Sequence, residues 1–394
     1  QVSDVKQGRT ITHSLNPDYW GKDLAVNKGR FNFGSIRFEY FRDRTAGFEA
    51  FKSGEYEFRE EFTSRFWATK YDFPAVTDGR VVTLTTPDDR PSGTQGWFVN
   101  TRRPHLSDPL VRQALSHAFD FEWTNRQHFH DLYKRTQSYF ENSEMKATGT
   151  PDAAELALLE PFRGQVPDSV FDEVYVPPVS NASGQDRRQL KIARDLLADA
   201  GWDVREGVLK NASDEPFTLE FLSDTPTFER VLQPFIKNLA LLGIDAKIRL
   251  VDAAQFEERL KDFDFDIITR RFSMRETPGV ELRAFMGSEA AAQEGSRNLA
   301  GISNPAIDAL IDKVTEATSR EDLVTAAVPW TVCCGPDTTG FPSGTRRSTI
   351  WPCGTSLLNP RSSRNIIGAS FACGGSILKR KLPLTSREYV SDHH

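Results

Sequence analysis

The sequence predicts an α/β fold, and the pattern of residues 217–271 is the main reason. The segments 217–222 and 265–269 are rich in residues that favour strands. Between them, residues 228–242 carry apolar side chains at helical spacing, and residues 244–251 alternate apolar and polar. Strands that alternate with helices pair in parallel through crossover connections. We therefore expect helices packed against a mixed or parallel sheet.

Length and composition are those of a globular protein with two domains. The chain has 394 residues, of which 38% are hydrophobic and 26% are charged. It contains no apolar run long enough for a transmembrane helix. The net charge of −6 argues against a nucleic-acid partner.

The first part of the chain suggests a second strand–helix–strand unit. Residues 35–41 alternate apolar and polar, as in a half-buried strand. Asp43 is placed to cap a helix over 44–52, and residues 56–59 are expected to form the next strand. A further strand is expected at 80–85, before a polar loop rich in Pro, Gly and Asp.

The middle of the chain should begin with a strand over 96–101 and two helices. Asp108 followed by Pro109 is a typical helix start, and Asp120 precedes the second helical stretch. Apolar spacing predicts the remaining helices at 186–200, 253–260, 280–285, 307–314 and from 320 onward.

Several ordered motifs resemble those of the family 5 extracellular solute-binding proteins, the peptide- and oligopeptide-binding components of ABC importers. The most specific is Gly-Trp-Phe-Val-Asn-Thr-Arg-Arg-Pro over 96–104, followed by Asp-Pro-Leu-Val-Arg-Gln-Ala-Leu-Ser-His-Ala-Phe-Asp over 108–120. Tyr-Phe-Glu-Asn-Ser over 139–143 and the segment 155–161 resemble the YejA-like branch. The resemblance extends over residues 9–328.

This resemblance implies a periplasmic binding protein-like fold of type II with two lobes. Residues 1–95 would be the remnant of the first lobe, and residues 96–328 would form the second. The first lobe would be incomplete, because family members carry further sequence before the equivalent of Gln1. The implied protein is a periplasmic monomer without a cofactor, although no signal peptide opens this chain. It would bind oligopeptides or peptide-like solutes and deliver them to a membrane permease.

The loop expected after the third strand of 217–271 is the first candidate for a binding site. Ligands of open α/β sheets lie beyond the carboxyl ends of the strands. That rule points to Arg270, Arg271, Phe272, Arg275 and Glu276, where arginines can meet a carboxylate and the glutamate an ammonium group. A solvated rim of arginines is an equally good interpretation.

The resemblance adds four further candidates. Asn100 would line the cleft between the lobes, whereas its neighbour Trp97 fits the core better. Tyr139, Phe140 and Asn142 lie in a segment that lines the cleft in the family. A surface loop with a buried aromatic residue explains that segment equally well.

No catalytic or metal-binding constellation stands out. His128 and His130 are two residues apart and would not face each other on a helix. The cysteines lack zinc spacing, and neither a nucleophile motif nor a phosphate loop is present. We therefore predict no enzyme, no metal and no cofactor. The alternatives are a cytosolic α/β enzyme of unknown reaction, or a non-functional fragment of the transport protein.

Residues 329–394 differ in character from the rest of the chain. Helical periodicity is weak there, and eight basic residues face three acidic ones. All four cysteines lie in this segment: Cys333, Cys334, Cys353 and Cys373. We back-translated this segment and shifted the reading frame by joining the third base of each codon to the first two bases of the next. In this frame the pair Trp330–Thr331 encodes Asp. The amino-acid sequences that the shifted codons allow resemble the end of YejA-like proteins. We interpret 329–394 as an out-of-frame, non-native tail after a frameshift at Val328, which resequencing of the DNA would test.

Overall fold

The computed structural model describes residues 1–87, 91–335, 340–342 and 348–354. They form two compact units, which divide between residues 87 and 88. Unit 1 comprises 1–87 with 348–354, and unit 2 comprises the described residues between 91 and 342. Most of the predicted out-of-frame tail lies outside the described residues.

Unit 1 contains a three-stranded antiparallel sheet with the strands in chain order. Three short helices follow, and a last strand pairs antiparallel with a strand from the C-terminal part. The elements are β1 (Val2–Lys6), β2 (Thr10–Ser14), β3 (Ser35–Glu39), α1 (Arg44–Lys52), α2 (Ser64–Thr69), α3 (Pro74–Thr77), β4 (Val81–Pro87) and β12 (Ser348–Gly354).

The core of unit 1 is a small aromatic cluster beneath α1. Phe48, Phe51, Phe66 and Phe73 are all buried and contact one another. The helix starts where the sequence predicts, because the Asp43 carboxylate accepts a hydrogen bond from the Ala46 N–H at 2.8 Å.

The predicted strand–helix–strand unit around α1 is wrong. Residues 56–59 show only an isolated bridge at Phe58, and β3 pairs antiparallel with β2. The segment is held by side chains instead of strand pairing. Arg59 forms an ion pair at 3.0 Å with Glu61, whose carboxylate also accepts from the Tyr71 hydroxyl at 2.8 Å. This pair is nearly inaccessible to solvent, so it fixes the local backbone.

Unit 2 is built on a five-stranded mixed sheet in the order β11-β5-β10-β8-β9. Strand β8 pairs in parallel with β9 on one side and with β10 on the other, which confirms the predicted alternation of strands and helices. β5 pairs antiparallel with β10 and with β11. The strands are β5 (Thr94–Val99), β8 (Thr218–Ser223), β9 (Asp245–Leu250), β10 (Ile267–Phe272) and β11 (Gly340–Pro342).

Helices cover both faces of this sheet, and each face has its own apolar core. Alternation along β5 separates them, because Trp97 and Val99 belong to one cluster and Phe98 to the other. The helices are α4 (Pro109–Ala118), α5 (Phe121–Phe129), α6 (Ala153–Leu159), α7 (Arg187–Asp199), α8 (Glu229–Leu241), α9 (Ala253–Lys261), α10 (Glu281–Met286), α11 (Ser288–Ala292), α12 (Pro305–Glu316) and α13 (Arg320–Cys333). A hairpin of β6 (Asp203–Arg205) and β7 (Val208–Lys210) follows α7.

Helix starts and ends in unit 2 follow the predicted local signals. Asp108 and Asp120 accept hydrogen bonds from the first turns of α4 and α5. Gly243 follows α8 with a φ of +82°, a conformation that only glycine adopts without strain. α13 continues past Val328 as far as Cys333, and Trp330 is fully buried.

β10 extends further than the sequence predicts. Only Ile267 and Ile268 pair with β8, but the strand continues along β5 until Phe272 lies opposite Thr94. Antiparallel pairing with β5 therefore carries Arg270 and Arg271 into the strand, although we expected both in a loop. β5 itself begins at Thr94 and lies in unit 2, whereas we predicted the end of the first lobe at residue 95.

Candidate ligand-binding groove

A groove with a volume of about 810 Å³ lies in unit 2 at the carboxyl end of β10. Its sides are α9, the end of β10, one residue of α10 and the segment 295–299. This is where ligands of open α/β sheets bind. The lining residues are Ala254, Glu257, Glu258, Leu260, Lys261, Arg270, Arg271, Phe272, Ser273, Phe285, Gly295, Ser296, Arg297 and Leu299.

Aromatic rings form the apolar part of this groove. Phe272 is 7% exposed and packs edge-on against Phe98 at 4.8 Å and Phe285 at 5.1 Å between ring centroids. The guanidinium of Arg297 lies 6.0 Å from the Phe285 centroid, and that of Arg270 lies 5.1 Å from the Phe256 centroid. A cation within about 6 Å of a ring centroid is attracted to the ring, so these contacts help to position the two arginines.

Two of the cations in the groove are paired with carboxylates. Arg270 contacts Glu257 at 3.3 Å. Lys261 lies 3.8 Å from Glu258 and 3.4 Å from Glu294. Glu258 and then Glu294 raise the pKa of Lys261, so it stays protonated at neutral pH.

Arg271 is held near the start of β5. Its guanidinium donates to the Ser92 carbonyl oxygen at 3.3 Å. Next to this contact, Gly93 adopts a φ of +65°, and a side-chain carbon there would lie 2.1 Å from the Phe272 carbonyl oxygen. The close approach of these two backbones sets the position of Arg271 and Phe272 at the edge of the groove.

Asn100 is buried within unit 2 and lies outside the groove lining. It is 1% exposed, and its amide nitrogen donates to the carbonyl oxygens of Phe263 and Phe265, both at 2.9 Å. Its backbone N–H donates to the Asp266 carbonyl oxygen at 2.9 Å. Asn100 therefore fixes the turn that leads from α9 into β10 and has no amide N–H left for a ligand.

Arg102, which the sequence reasoning missed, holds one side of the groove. Its guanidinium donates to the carbonyl oxygens of Ala291 at 2.6 Å, Asn298 at 2.9 Å and Leu299 at 3.3 Å. It also stacks 3.7 Å from the Phe263 centroid. Burial lowers the pKa of Arg102 to about 10, so the group remains a cation at neutral pH. The sequence offered a reason to consider Arg102, because it lies two residues after Asn100 in the motif over 96–104.

Asn298 completes this side of the groove and was also missed. It is 0% exposed; its amide nitrogen donates to the Gly287 and Ile302 carbonyl oxygens, and its oxygen accepts from the Gly301 and Ile302 N–H groups. Every one of these partners is a backbone atom, so Asn298 shapes the segment that carries Arg297. Asn298 lies in a loop, where there is no apolar periodicity from which its burial could be predicted.

Tyr139 and Phe140 belong to the core of unit 2. They are 4% and 0% exposed, and their rings lie 5.9 and 5.7 Å from that of Trp330. Asn142 follows with a φ of +67° and is half-buried. None of the three lines the groove. The interpretation as a loop with buried aromatic residues describes this segment.

The remaining candidates, Arg275 and Glu276, are exposed and lie outside the groove lining. Glu276 offers its carbonyl oxygen to the Arg320 guanidinium. Of the residues predicted for the site, the structure brings together Arg270, Arg271 and Phe272 in one groove.

In the part of the chain that the structure describes, no three His, Cys, Asp or Glu side chains are arranged to hold a metal ion. Cys333 and Cys334 are both buried, and burial raises the pKa of the Cys333 thiol to about 12. Over the same residues, no helix is both long and apolar enough to cross a membrane.

The model of the family described as bacterial extracellular solute-binding proteins, family 5 Middle, matches residues 1–292. The chain belongs to this family. A relative from Agrobacterium fabrum, the probable peptide-binding protein YejA, is 41% identical over 330 residues. That alignment covers 83% of this chain and 54% of the relative, so the chain spans about half the length of the curated relatives that it matches.

Solved structures confirm the periplasmic binding protein fold. The oligopeptide-binding protein AppA from Bacillus subtilis, in complex with a nonapeptide, superposes with a TM-score of 0.61 at 17% identity. The match covers 92% of this chain and 64% of AppA. NikA from Brucella suis, in complex with Fe(III)-EDTA, gives a TM-score of 0.64 at 17% identity over 91% of this chain and 63% of NikA. At these identities the likeness concerns the fold alone.

Proposed function

We propose that the chain is the solute-binding component of an ABC importer and that it binds oligopeptides or peptide-like solutes in the periplasm. The observation that carries the proposal is the groove at the end of β10, where arginines lie beside aromatic rings in a family 5 fold. A peptide presents backbone hydrogen-bonding groups, apolar side chains and a terminal carboxylate, and such a groove offers partners for each.

Transport explains the site better than catalysis does. Binding proteins need affinity and release, and cationic and aromatic side chains in a groove supply both without a reactive group. The bound solute would then pass to permease subunits in the inner membrane as two lobes open. The chain would act as a monomer and convert no substrate.

The experiment is a retention assay on the purified chain with a defined mixture of peptides three to eight residues long. After gel filtration, mass spectrometry of the protein fraction should recover intact peptides in a one-to-one complex. Ser273 lines the groove, so Ser273→Trp should fill it and lower retention by at least about tenfold.

A control variant distinguishes filling of the groove from a general effect of adding a tryptophan to unit 2. Ser213 is exposed in a loop beyond β7, so Ser213→Trp adds the same ring to unit 2 outside the groove. Retention by Ser213→Trp should equal that of the parent chain. An equal loss of peptide retention in both variants would show that the groove is not the peptide-binding site. Recovery of cleaved peptides would replace transport by an enzymatic function.

A further inference from the structure

The charged side chains of the groove can be accounted for one by one. Four of the lining residues are cationic and two are anionic. The two carboxylates are engaged, because Glu257 contacts Arg270 at 3.3 Å and Glu258 lies 3.8 Å from Lys261. Both carboxylates of the groove therefore form ion pairs with cations of the groove itself.

The other two cations are Arg271 and Arg297. Neither has an ion-pair partner in the part of the chain that the structure describes. Among the described residues, Arg271 donates to the Ser92 carbonyl oxygen, and Arg297 lies over the Phe285 ring. A guanidinium has five N–H donors, so both groups keep donors for a bound molecule. Carboxylates match this planar fork better than any neutral acceptor does.

The charge of the groove is opposite to that of the chain. The whole chain carries a formal net charge of −6, whereas the lining of the groove has more cations than anions. Six charged residues drawn in the proportion of the whole chain, 49 basic to 55 acidic, would be close to neutral, whereas the lining has four cations and two anions. A local reversal of sign in a concave site concentrates anions there and repels cationic solutes.

From these observations we propose that the groove selects acidic oligopeptides, with Arg271 and Arg297 as the residues that determine this specificity. The inference rests on the proposed function, since it names the class of peptide that the same groove takes. Each arginine would bind one carboxylate of the ligand, and Phe272 and Phe285 would contact the apolar stems of the acidic side chains. Arg270 and Lys261 keep their internal partners and contribute less.

The test is calorimetric titration of the 394-residue chain with matched pentapeptides. The pair Ala-Glu-Ala-Glu-Ala and Ala-Gln-Ala-Gln-Ala differs only in charge. In low salt, we expect the glutamate peptide to bind at least about tenfold more tightly than the glutamine peptide. The ratio should shrink as the salt concentration rises, because exposed charges are screened. A lysine analogue should bind more weakly than both.

Carboxylates of a peptide have two sources, which amidation distinguishes. If acidic side chains are recognised, the C-terminally amidated glutamate peptide keeps its advantage over the amidated glutamine peptide. If only the C-terminal carboxylate is recognised, amidation abolishes binding of both and the two free acids bind alike. The second result would overturn the selection of acidic side chains.

Variants assign the preference to residues. Arg271→Gln and Arg297→Gln should each lower affinity for the glutamate peptide by about three- to tenfold and leave that for the glutamine peptide unchanged. Arg194→Gln is the matched control, because Arg194 is exposed on α7 and lies outside the groove lining. It changes the net charge equally and should change neither affinity.

The outcomes separate the two proposals. Equal binding of both free peptides, or equal effects of all three substitutions, would overturn the acidic preference and leave peptide binding intact. No binding of any peptide, with a cooperative unfolding transition to show that the chain is folded, would overturn both.

Discussion

At the scale of single residues, Arg102 anchors one side of the groove through the carbonyl oxygens of Ala291, Asn298 and Leu299. It joins the motif after β5 to the last turn of α11 and to the segment that carries Arg297. Arg102→Met would keep a stem against Phe263 but leave at least two carbonyl oxygens without a donor. Loss of such bonds costs roughly 2–3 kcal/mol of unfolding free energy. Urea denaturation would measure this loss.

Arg102→Lys is the control for charge at this position. Lysine restores the cation but not the planar fork, so it should recover at most about half of the lost stability. Peptide affinity should fall in both variants, because the segment 295–299 loses its anchor. Unchanged stability in Arg102→Met would show that solvent satisfies the carbonyl oxygens and that the contacts of Arg102 are not needed.

At the scale of elements, the close approach of β5 and β10 fixes the end of β10. Gly93→Ala would place a methyl group 2.1 Å from the Phe272 carbonyl oxygen, at a φ of +65°. Strain from the left-handed conformation alone costs about 1–2 kcal/mol, and the collision adds to it. We expect Gly93→Ala to lose more than about 2 kcal/mol and to weaken peptide binding, as measured by urea denaturation and calorimetry.

Gly201 provides the comparison within unit 2. It has a φ of +84°, but a methyl group there would meet no atom within 4 Å. Gly201→Ala should therefore show only the cost of its backbone conformation and leave binding unchanged. Similar losses in both variants would mean that the β5–β10 approach relaxes without consequence for the groove.

The same elements show what a sequence can predict. The alternation of strands and helices from β8 to β10 was predictable, because each element repeats its apolar residues at the period of its own geometry. The end of β10 was not, because Arg270 and Arg271 look like loop residues until their pairing with β5, distant along the chain, is known. The rule for strand ends predicted Arg270, Arg271 and Phe272 as candidates, and these three line the groove. The burial of Asn100 was not predictable, because an amide in a motif is equally consistent with a ligand contact and with a buried side chain that bonds to the backbone.

At the scale of the whole molecule, three half-buried histidines of unit 2 should make its stability depend on pH. Burial lowers the pKa of His105, His117 and His128 below the ordinary 6.5. The unfolded chain therefore binds more protons than the folded chain just below pH 6.5. By linkage, the stability that these groups contribute is complete above about pH 6.5 and is lost as pH falls through their folded pKa values. The urea concentration at the unfolding midpoint should decrease as the pH is lowered from about 7.5 to about 5.

Two of these histidines allow the dependence to be assigned. The Nε2 atoms of His105 and His128 are buried and have no hydrogen-bond partner among the described residues. His105→Phe and His128→Phe keep a ring against Phe217 and Trp123, respectively, and remove the titrating group. An apolar ring at an unsatisfied site costs little, so both variants should fold. In the double variant, the urea midpoint should change less over this pH range than it does in the parent chain.

The carboxylates of Asp264 and Asp186 do not produce the same slope. Nearby arginines and hydrogen bonds outweigh burial and lower the pKa of Asp264, and backbone hydrogen bonds do the same for Asp186. Both groups therefore titrate below their usual 3.8, well under the window of the histidines. A midpoint that is constant from pH 7.5 to pH 5 and falls only below pH 4 would exclude the histidines as the cause. An equal slope in the double variant would assign the dependence to His117, whose Nδ1 lies 2.6 Å from the Gln189 side-chain oxygen between α4 and α7.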